Sequence, residues 1–410
     1  MSTQHSPLSF AQRTAGVSLA LVMSVLAAGN TLAGTREQAK RIHDRLVGTP
    51  PSAACLDQLE TKVIANDAAG AAMDAITNDG GTDACIGADF YRVTLKNFIT
   101  PWTNEEQTVF APLNDYTATV IGIIRDDDDF RKILYDDVLY TGPGNPSAAV
   151  LTTGNSHYKA LEDSGADLQA VLTRTTQSAA TGLAAPAGVL TSRAAAKAFF
   201  VDGTNRAMFR FTMLNHLCKD MEQVKDPSYP PDRIRQDVSR SPGGDSRIFM
   251  NACVGCHSGM DPMTQAFAYY DYSYPLDGNG DPNYDAGQLV YTPGSVQPKY
   301  LQNSSNFEYG FVTPNDNWDN YWRTGSNSAL GWDGALPGSG SGAASMGQEL
   351  AHSDAFARCQ VEKVFKAVCL RGPVDQSDRD QINTMINTFQ GNGHKLKQVF
   401  ADSAAFCKGN

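Results

Sequence analysis

Cys253-Val254-Gly255-Cys256-His257 is the stretch from which the rest of the chain can be interpreted. Its C-x-x-C-H spacing is typical of c-type haem attachment. Two thiols three positions apart can each add to one haem vinyl group, and the adjacent imidazole can bind the iron from the same side. Composition alone predicts only about 0.003 such pentads in a chain of this length. The motif occurs once, so we predict one covalent haem c, held by Cys253 and Cys256, with His257 as the proximal iron ligand.

Three other interpretations of the pentad fit less well. A zinc site would need a second C-x-x-C or a paired histidine, and the sequence has neither. A thioredoxin-like redox pair would need an α/β context around the motif. A plain disulfide between Cys253 and Cys256 would leave His257 unexplained.

The residues around the pentad agree with a haem module. Residues 243–246 predict a helix start with a polar cap, and the helix then carries Phe249 into Cys253. Residues 258–263 predict a turn after His257. An aromatic stretch follows, which can either wall a porphyrin or form ordinary core: Phe267, Tyr269, Tyr270, Tyr272 and Tyr274.

The first 33 residues have the layout of a secretory signal peptide. Residues 16–28 are small or apolar, and Thr31-Leu32-Ala33 provides a small-residue cleavage site. The apolar run is too short to span a membrane, no later stretch could do so, and no cysteine lies near the cleavage site to carry a lipid anchor. We therefore expect a periplasmic or secreted protein without a membrane span.

Composition narrows the class of protein further. The 410 residues include 33 basic and 44 acidic side chains, for a net charge of −11. This balance argues against nucleic-acid binding, which needs a basic face, and suits a basic protein partner or simply solubility. A hydrophobic content of 41% excludes a disordered chain. The sequence predicts no oligomeric state.

Apolar spacing along the mature chain predicts a mainly α-helical protein. We expect a helix over residues 35–46 ended by Gly48, a second capped by Ser52, and helices over residues 194–200 and 206–217 before the haem motif. After it we expect helices over residues 358–368, 377–388 with Ser377 as the cap, and 394–400. Residues 272–342 are rich in Gly, Asn, Ser, Pro and aromatic residues, which predicts short strands or ordered loops.

The other six cysteines should be oxidised in an exported protein. Cys55 and Cys85 flank a Gly- and Ala-rich stretch and are expected to pair. Cys359, Cys369 and Cys407 cluster in the C-terminal helices, where at least one pair is expected, and Cys218 should take the remaining partner.

Two acidic stretches could be taken for calcium sites. Residues 126–129 are more simply a solvated junction between two helices, with carboxylates near the N-terminus of the next one. Residues 277–283 alternate oxygen ligands like a calcium loop, but Pro282 and Gln288 stand where an EF-hand needs glycine and glutamate. A tight solvated turn is the preferred interpretation there.

The second axial ligand of the iron separates electron carriers from haem enzymes. Met260 follows His257 by only three residues, a reach of about 10 Å, which is too short to pass around the porphyrin edge. Met346 follows a Pro/Gly-rich loop and immediately precedes a helix, so we predict it as the distal ligand. Its alternative role is a core residue, and His352 is the competing ligand. His216 is either a core histidine or a haem neighbour, whereas His43, His157 and His394 lie on polar segments and are expected to be solvated.

The chain resembles the planctomycete-type secreted cytochrome c-like proteins, whose haem-motif module is flanked by helical modules of unestablished function. The resemblance is carried by residues 252–262 and 266–271 at the haem motif, and by residues 41–46, 129–137, 190–193, 350–359 and 400–406 elsewhere. It implies a haem-binding secreted protein and supplies no substrate. The predicted organisation is a signal peptide (1–33), an N-terminal helical domain (34–188), a haem module with its insert (189–342), and a C-terminal helical module that completes the haem domain (343–410).

These features predict an exported monohaem c-type cytochrome that transfers single electrons to and from a redox protein partner. A haem-dependent oxidoreductase of the peroxidase or oxidase type is the alternative, as is a haem-bearing subunit of a secreted complex. No catalytic residue is predicted, because the sequence shows no Ser-His-Asp, paired-carboxylate or phosphate-loop arrangement.

Overall fold

The computed structural model describes residues 33–77, 85, 87–144, 146–201, 205–234, 246–298 and 310–409. Apart from Ala33, the predicted signal peptide lies outside these residues. Helices dominate the described chain, which confirms the mainly α fold class, and strands occur there only as short pairs. The described residues contain no helix that is long and apolar enough to cross a membrane.

The α-helices follow one another in short segments. They are α1 (Thr35–Val47), α2 (Ala53–Ile64), α3 (Ala68–Ile76), α4 (Lys96–Ile99), α5 (Asp115–Arg125), α6 (Ala148–Thr153), α7 (Ser156–Asp163), α8 (Leu168–Val171), α9 (Gln177–Thr181), α10 (Arg193–Phe199), α11 (Arg206–Thr212), α12 (Ser246–Ile248), α13 (Val254–Thr264), α14 (Gly342–Ala351), α15 (Asp354–Cys369), α16 (Gln376–Gly391) and α17 (Leu396–Phe406). π-Helical turns precede α4 (Phe90–Leu95), follow α11 (Met213–Leu217) and link α12 to α13 (Phe249–Cys253).

Three antiparallel two-stranded sheets complete the described secondary structure. They are formed by β1 (Leu139–Thr141) with β2 (Thr173–Thr175), β3 (Tyr270–Ser273) with β4 (Gln288–Tyr291), and β5 (Asn317–Asp319) with β6 (Ser339–Ser341). Their registers pair Tyr140 with Arg174, Tyr272 with Leu289, and Trp318 with Gly340. Two of the sheets belong to the Gly- and aromatic-rich segment, so its prediction as short strands and loops is confirmed.

The predicted end of α1 and the predicted cap of α2 are confirmed. Gly48 ends α1 in the left-handed conformation with φ of 78°, which glycine adopts without a steric penalty. The Ser52 hydroxyl accepts a hydrogen bond from the Cys55 backbone N–H at 3.1 Å and so caps α2. The acidic run after α5 is the expected junction, since the Asp129 carboxylate caps the next 3-10 turn by accepting from Arg131 N–H at 3.0 Å.

Two predicted boundaries near the C-terminus are wrong. The cap of α16 is Asp375, which accepts from Asp378 N–H at 2.9 Å, and Ser377 lies inside the helix. The final helix begins at Leu396 and not at His394, because His394 has a φ of 61° and cannot continue a right-handed helix.

The predicted turn over residues 258–263 is also wrong, because α13 runs through it to Thr264. Pro262 lacks the N–H that would bond to the Ser258 carbonyl, and Gly259 has low helix propensity. Tertiary contacts override both signals, since Gly259 lies against Trp322 and Asp261 is buried among polar partners.

The core joins the two ends of the described chain. One cluster of buried residues extends from Ala39 to Ala404. α17 packs against α1, α3 and α15, and α15 packs against the π-helical turn Met213–Leu217. The predicted module boundaries stay predictions.

Three disulfides tie these regions together, and they match the expected pairings. They join Cys55 to Cys85, Cys218 to Cys359, and Cys369 to Cys407. The second bond connects residues 141 positions apart, and it links the helices before the C-x-x-C-H motif to α15.

Candidate haem attachment site

The motif lies where the π-helical turn passes into α13. Cys253 is the last residue of that turn, and Cys256 and His257 lie in the first turn of α13. Side chains three and four positions apart share one face of a helix, so the two thiols and the imidazole point to the same side. The ring of the buried residue Phe249 lies 4.8 Å from the His257 ring.

The two motif cysteines differ from the other six. All eight cysteines are described, and Cys253 and Cys256 alone are free thiols. Both side chains are half-buried. The Cys256 thiol donates a weak hydrogen bond to the Met221 carbonyl at 3.6 Å, and burial raises its pKa.

His257 is held by a carboxylate on its own helix. Its Nδ1 lies 3.1 Å from Asp261 Oδ1, one turn further along α13. An ionised carboxylate only accepts hydrogen bonds, so Nδ1 carries the proton and the lone pair of the other nitrogen, Nε2, is available to a metal. The His257 side chain is 20% exposed, whereas that of Asp261 is 0% exposed.

Arg206 completes this group from the start of α11. Its Nε and Nη2 donate to Oδ1 and Oδ2 of Asp261 at 2.8 and 2.7 Å. Burial would raise the pKa of the Asp261 carboxyl, but the Arg206 guanidinium and the His257 ring hold that pKa well below its usual range. Asp261 is therefore a buried anion that contacts the Arg206 guanidinium and the His257 imidazole.

The residues fit a c-type haem by the chemistry of their donors. Two free thiols and a metal-competent imidazole nitrogen are the groups that such a haem requires. No cluster of three or more His, Cys, Asp or Glu side chains suited to a metal ion occurs in the described ranges. Haem iron needs no such cluster, because the porphyrin supplies four of its ligands.

The predicted distal ligands lie on α14 and at its C-terminal end. Met346 is inside this helix, so the expectation that it immediately precedes a helix is wrong. Met346 is fully buried in α14 and belongs to the main core, and α14 packs against the 3-10 turn that follows α13. His352 ends α14, where its Nδ1 contacts the Gln348 carbonyl at 2.8 Å and its ring faces Tyr135. Neither residue is part of the group around His257 described above, and Met346 stays a prediction.

His216 is a core histidine. It is 1% exposed, its Nε2 lies 2.7 Å from the Tyr116 hydroxyl, and its ring packs on Trp102. Burial, aided by the nearby Lys363, lowers the pKa of His216 well below its usual value, so the ring is neutral. The expectation that His43 is solvated is wrong, because α1 buries its side chain in the fold.

The aromatic stretch after α13 is also largely core. Tyr270 and Phe267 pack against Phe200, and the rings of Tyr270 and Tyr291 of β4 lie 4.8 Å apart and are tilted relative to each other. The Tyr272 hydroxyl donates to the Tyr284 carbonyl at 2.7 Å.

Residues 277–283 form a tight turn, as predicted. Oδ1 of Asp277 accepts from the backbone N–H groups of Asn279 and Asp281 at 2.8 and 2.9 Å. The carboxylate is thus engaged by its own turn.

Asp261 and Arg206 are the site residues that the sequence did not reveal. Asp261 follows His257 at a spacing of four, which would have been a signal had residues 258–263 been assigned to a helix. Arg206 lies on a different helix, and no local pattern connects it to the motif.

Comparisons with protein-family models, with curated proteins and with solved structures find no match to this chain. The chemistry of the site therefore carries the functional argument.

Proposed function

We propose that the chain is an exported monohaem c-type cytochrome that transfers single electrons. The observation that carries the proposal is the pair of free thiols, Cys253 and Cys256, beside a histidine whose Nδ1 is already engaged. In a chain with three disulfides, two cysteines at the right spacing for haem attachment stay unpaired.

The chain's own residues would bind and orient the group. Each thiol would add its S–H across one vinyl C=C of the haem, with sulfur bonding to one vinyl carbon and hydrogen to the other, so that attachment would require no oxidant. His257 would offer Nε2 to the iron. When bound, haem c supplies an iron that alternates between Fe(III) and Fe(II).

The surface around the motif suits an encounter with another protein. Ile248 and Met250, which flank Phe249, are 49% and 39% exposed. Exposed apolar side chains next to the motif favour contact with a protein partner, and the net charge of −11 favours a basic partner.

A haem-dependent oxidoreductase is the second candidate, and the Asp261 contact favours it. A carboxylate that accepts from the ligand imidazole makes the ring a stronger donor to iron. Strong donation from the proximal side suits chemistry on bound peroxide or oxygen, provided that the distal position is open.

The first test is the mass of the protein produced in a host that attaches c-type haem. We expect a single haem adduct, which is lost when Cys253 and Cys256 are both replaced by Ser. As a control, replacing Cys55 and Cys85 by Ser should leave the adduct in place. An unmodified mass of the parent chain from such a host would refute the proposal.

Carbon monoxide separates the two candidates. A carrier with both axial positions filled should show an unchanged ferrous spectrum under carbon monoxide, whereas an open position should bind it. If Met346 is the distal ligand, Met346→Ala should abolish the weak near-infrared sulfur-to-iron band and admit carbon monoxide. Binding by the parent protein would reject Met346 and favour the oxidoreductase.

A further inference from the structure

The ion pair beside His257 joins two helices of the fold. His257 and Asp261 are one turn apart on α13, which brings the two side chains within reach of each other. Arg206 reaches Asp261 from α11, which packs directly against α13. Contacts from α11 and α13 thus hold the Asp261 carboxylate in place, and the carboxylate orients the His257 ring.

The geometry limits how the imidazole can turn. Asp261 accepts two charge-assisted hydrogen bonds from the planar guanidinium, which sets the plane of the carboxylate. The third contact, to Nδ1 at 3.1 Å, then holds the direction in which Nε2 points. Phe249 limits movement on another side, with its ring 4.8 Å from the imidazole.

The same pair places two opposite charges beside the imidazole that would bind the iron. Asp261 is 0% exposed and the Arg206 side chain is 15% exposed, so water screens both charges poorly. A negative charge on the ligand side stabilises Fe(III) relative to Fe(II) and lowers the reduction potential. A positive charge has the opposite effect, and here the positive charge is the Arg206 guanidinium, which is hydrogen-bonded to the Asp261 carboxylate.

We propose that Asp261 is the positioning residue for His257, and that the Asp261–Arg206 pair sets the reduction potential of the iron. Asp261 lowers the potential and Arg206 limits that lowering. This inference rests on the proposed haem attachment, since it concerns the residue that would bind the iron.

The test compares the midpoint potentials of Asp261→Asn and Arg206→Gln with that of the parent haem protein. Asp261→Asn keeps an acceptor oxygen but removes the charge, so the potential should rise. Arg206→Gln leaves the carboxylate without its cation, so the potential should fall. Opposite shifts are the expected signature, because a purely structural defect would not depend on the sign of the charge removed.

A matched control is present on α16. Both terminal nitrogens of Arg371 donate to the buried carboxylate of Asp378, with Nη2 at 2.8 Å from Oδ1, and α16 packs against α15 and α17. Asp378→Asn removes a comparable buried charge from a different part of the fold and should shift the potential less than Asp261→Asn does.

If Asp261→Asn does not fold, Arg206→Lys replaces it, because lysine keeps the charge. Arg206→Gln should then have a lower potential than Arg206→Lys. Shifts in one direction, or none beyond the Asp378→Asn control, would overturn the inference. A parent chain without a haem adduct would instead refute the proposed function, so the two failures are distinguishable.

Discussion

At the scale of the residue, Gly259 shows how closely α13 is packed. A Cβ at this position would lie 1.9 Å from Nε1 of Trp322, whose side chain is 1% exposed and has no room to retreat. We expect Gly259→Ala to lower the free energy of unfolding by about 1–3 kcal/mol, measured by urea denaturation. The steric cost of the added Cβ should exceed the gain of about 1 kcal/mol that the higher helix propensity of alanine provides.

Gly255→Ala is the matched control on the same helix. The nearest atom to its added Cβ is the backbone nitrogen of Pro227 at 3.7 Å, an ordinary van der Waals contact. Its stability should be unchanged or slightly raised. Equal losses for the two variants would show that packing against Trp322 is not the cause.

At the scale of the element, α16 tests which residue caps a helix. The Asp375 carboxylate accepts from Asp378 N–H at 2.9 Å, whereas Ser377 is exposed within the first turn. We expect Asp375→Ala to lower the free energy of unfolding by about 1 kcal/mol, because a backbone N–H loses its partner. Ser377→Ala should have almost no effect, since no capping contact depends on it.

Urea denaturation of both variants decides whether Asp375 or Ser377 caps α16. A larger loss for Ser377→Ala than for Asp375→Ala would restore the boundary expected from the sequence. Both residues are exposed and adjacent to the same helix end, so differences in burial cannot account for the outcome.

At the scale of the whole molecule, the disulfides rank by the length of chain that they close. Chain-entropy reasoning gives a stabilisation of about 5 kcal/mol for Cys218–Cys359 and about 3.7 kcal/mol for Cys55–Cys85. Their separations are 141 and 30 residues. Replacing each pair by Ser should therefore destabilise the protein in that order.

Denaturation under non-reducing conditions measures both double variants. Peptide mapping of the parent protein is the control, and it should recover Cys55 linked to Cys85 without prior reduction. Alkylation of Cys55 in the unreduced protein would reject that pairing, and a reversed order of stability would reject the entropic ranking.

Features that depend on neighbouring residues could be predicted from the sequence alone. The spacing of Cys253, Cys256 and His257, the caps at Gly48 and Ser52, and the mainly helical class all follow from patterns a few residues long. The pairing of Cys55 with Cys85 was also predictable, because the two cysteines bracket a short Gly- and Ala-rich stretch.

The residues that contact His257 depend on how the helices pack. Gly259 and Pro262 are local signals for a turn, yet packing on Trp322 and the burial of Asp261 keep the segment helical. With that helix in place, Asp261 meets His257, and α11 brings Arg206 to the same carboxylate. Contacts between residues this far apart depend on how helices pack, and no local pattern of residues encodes that packing.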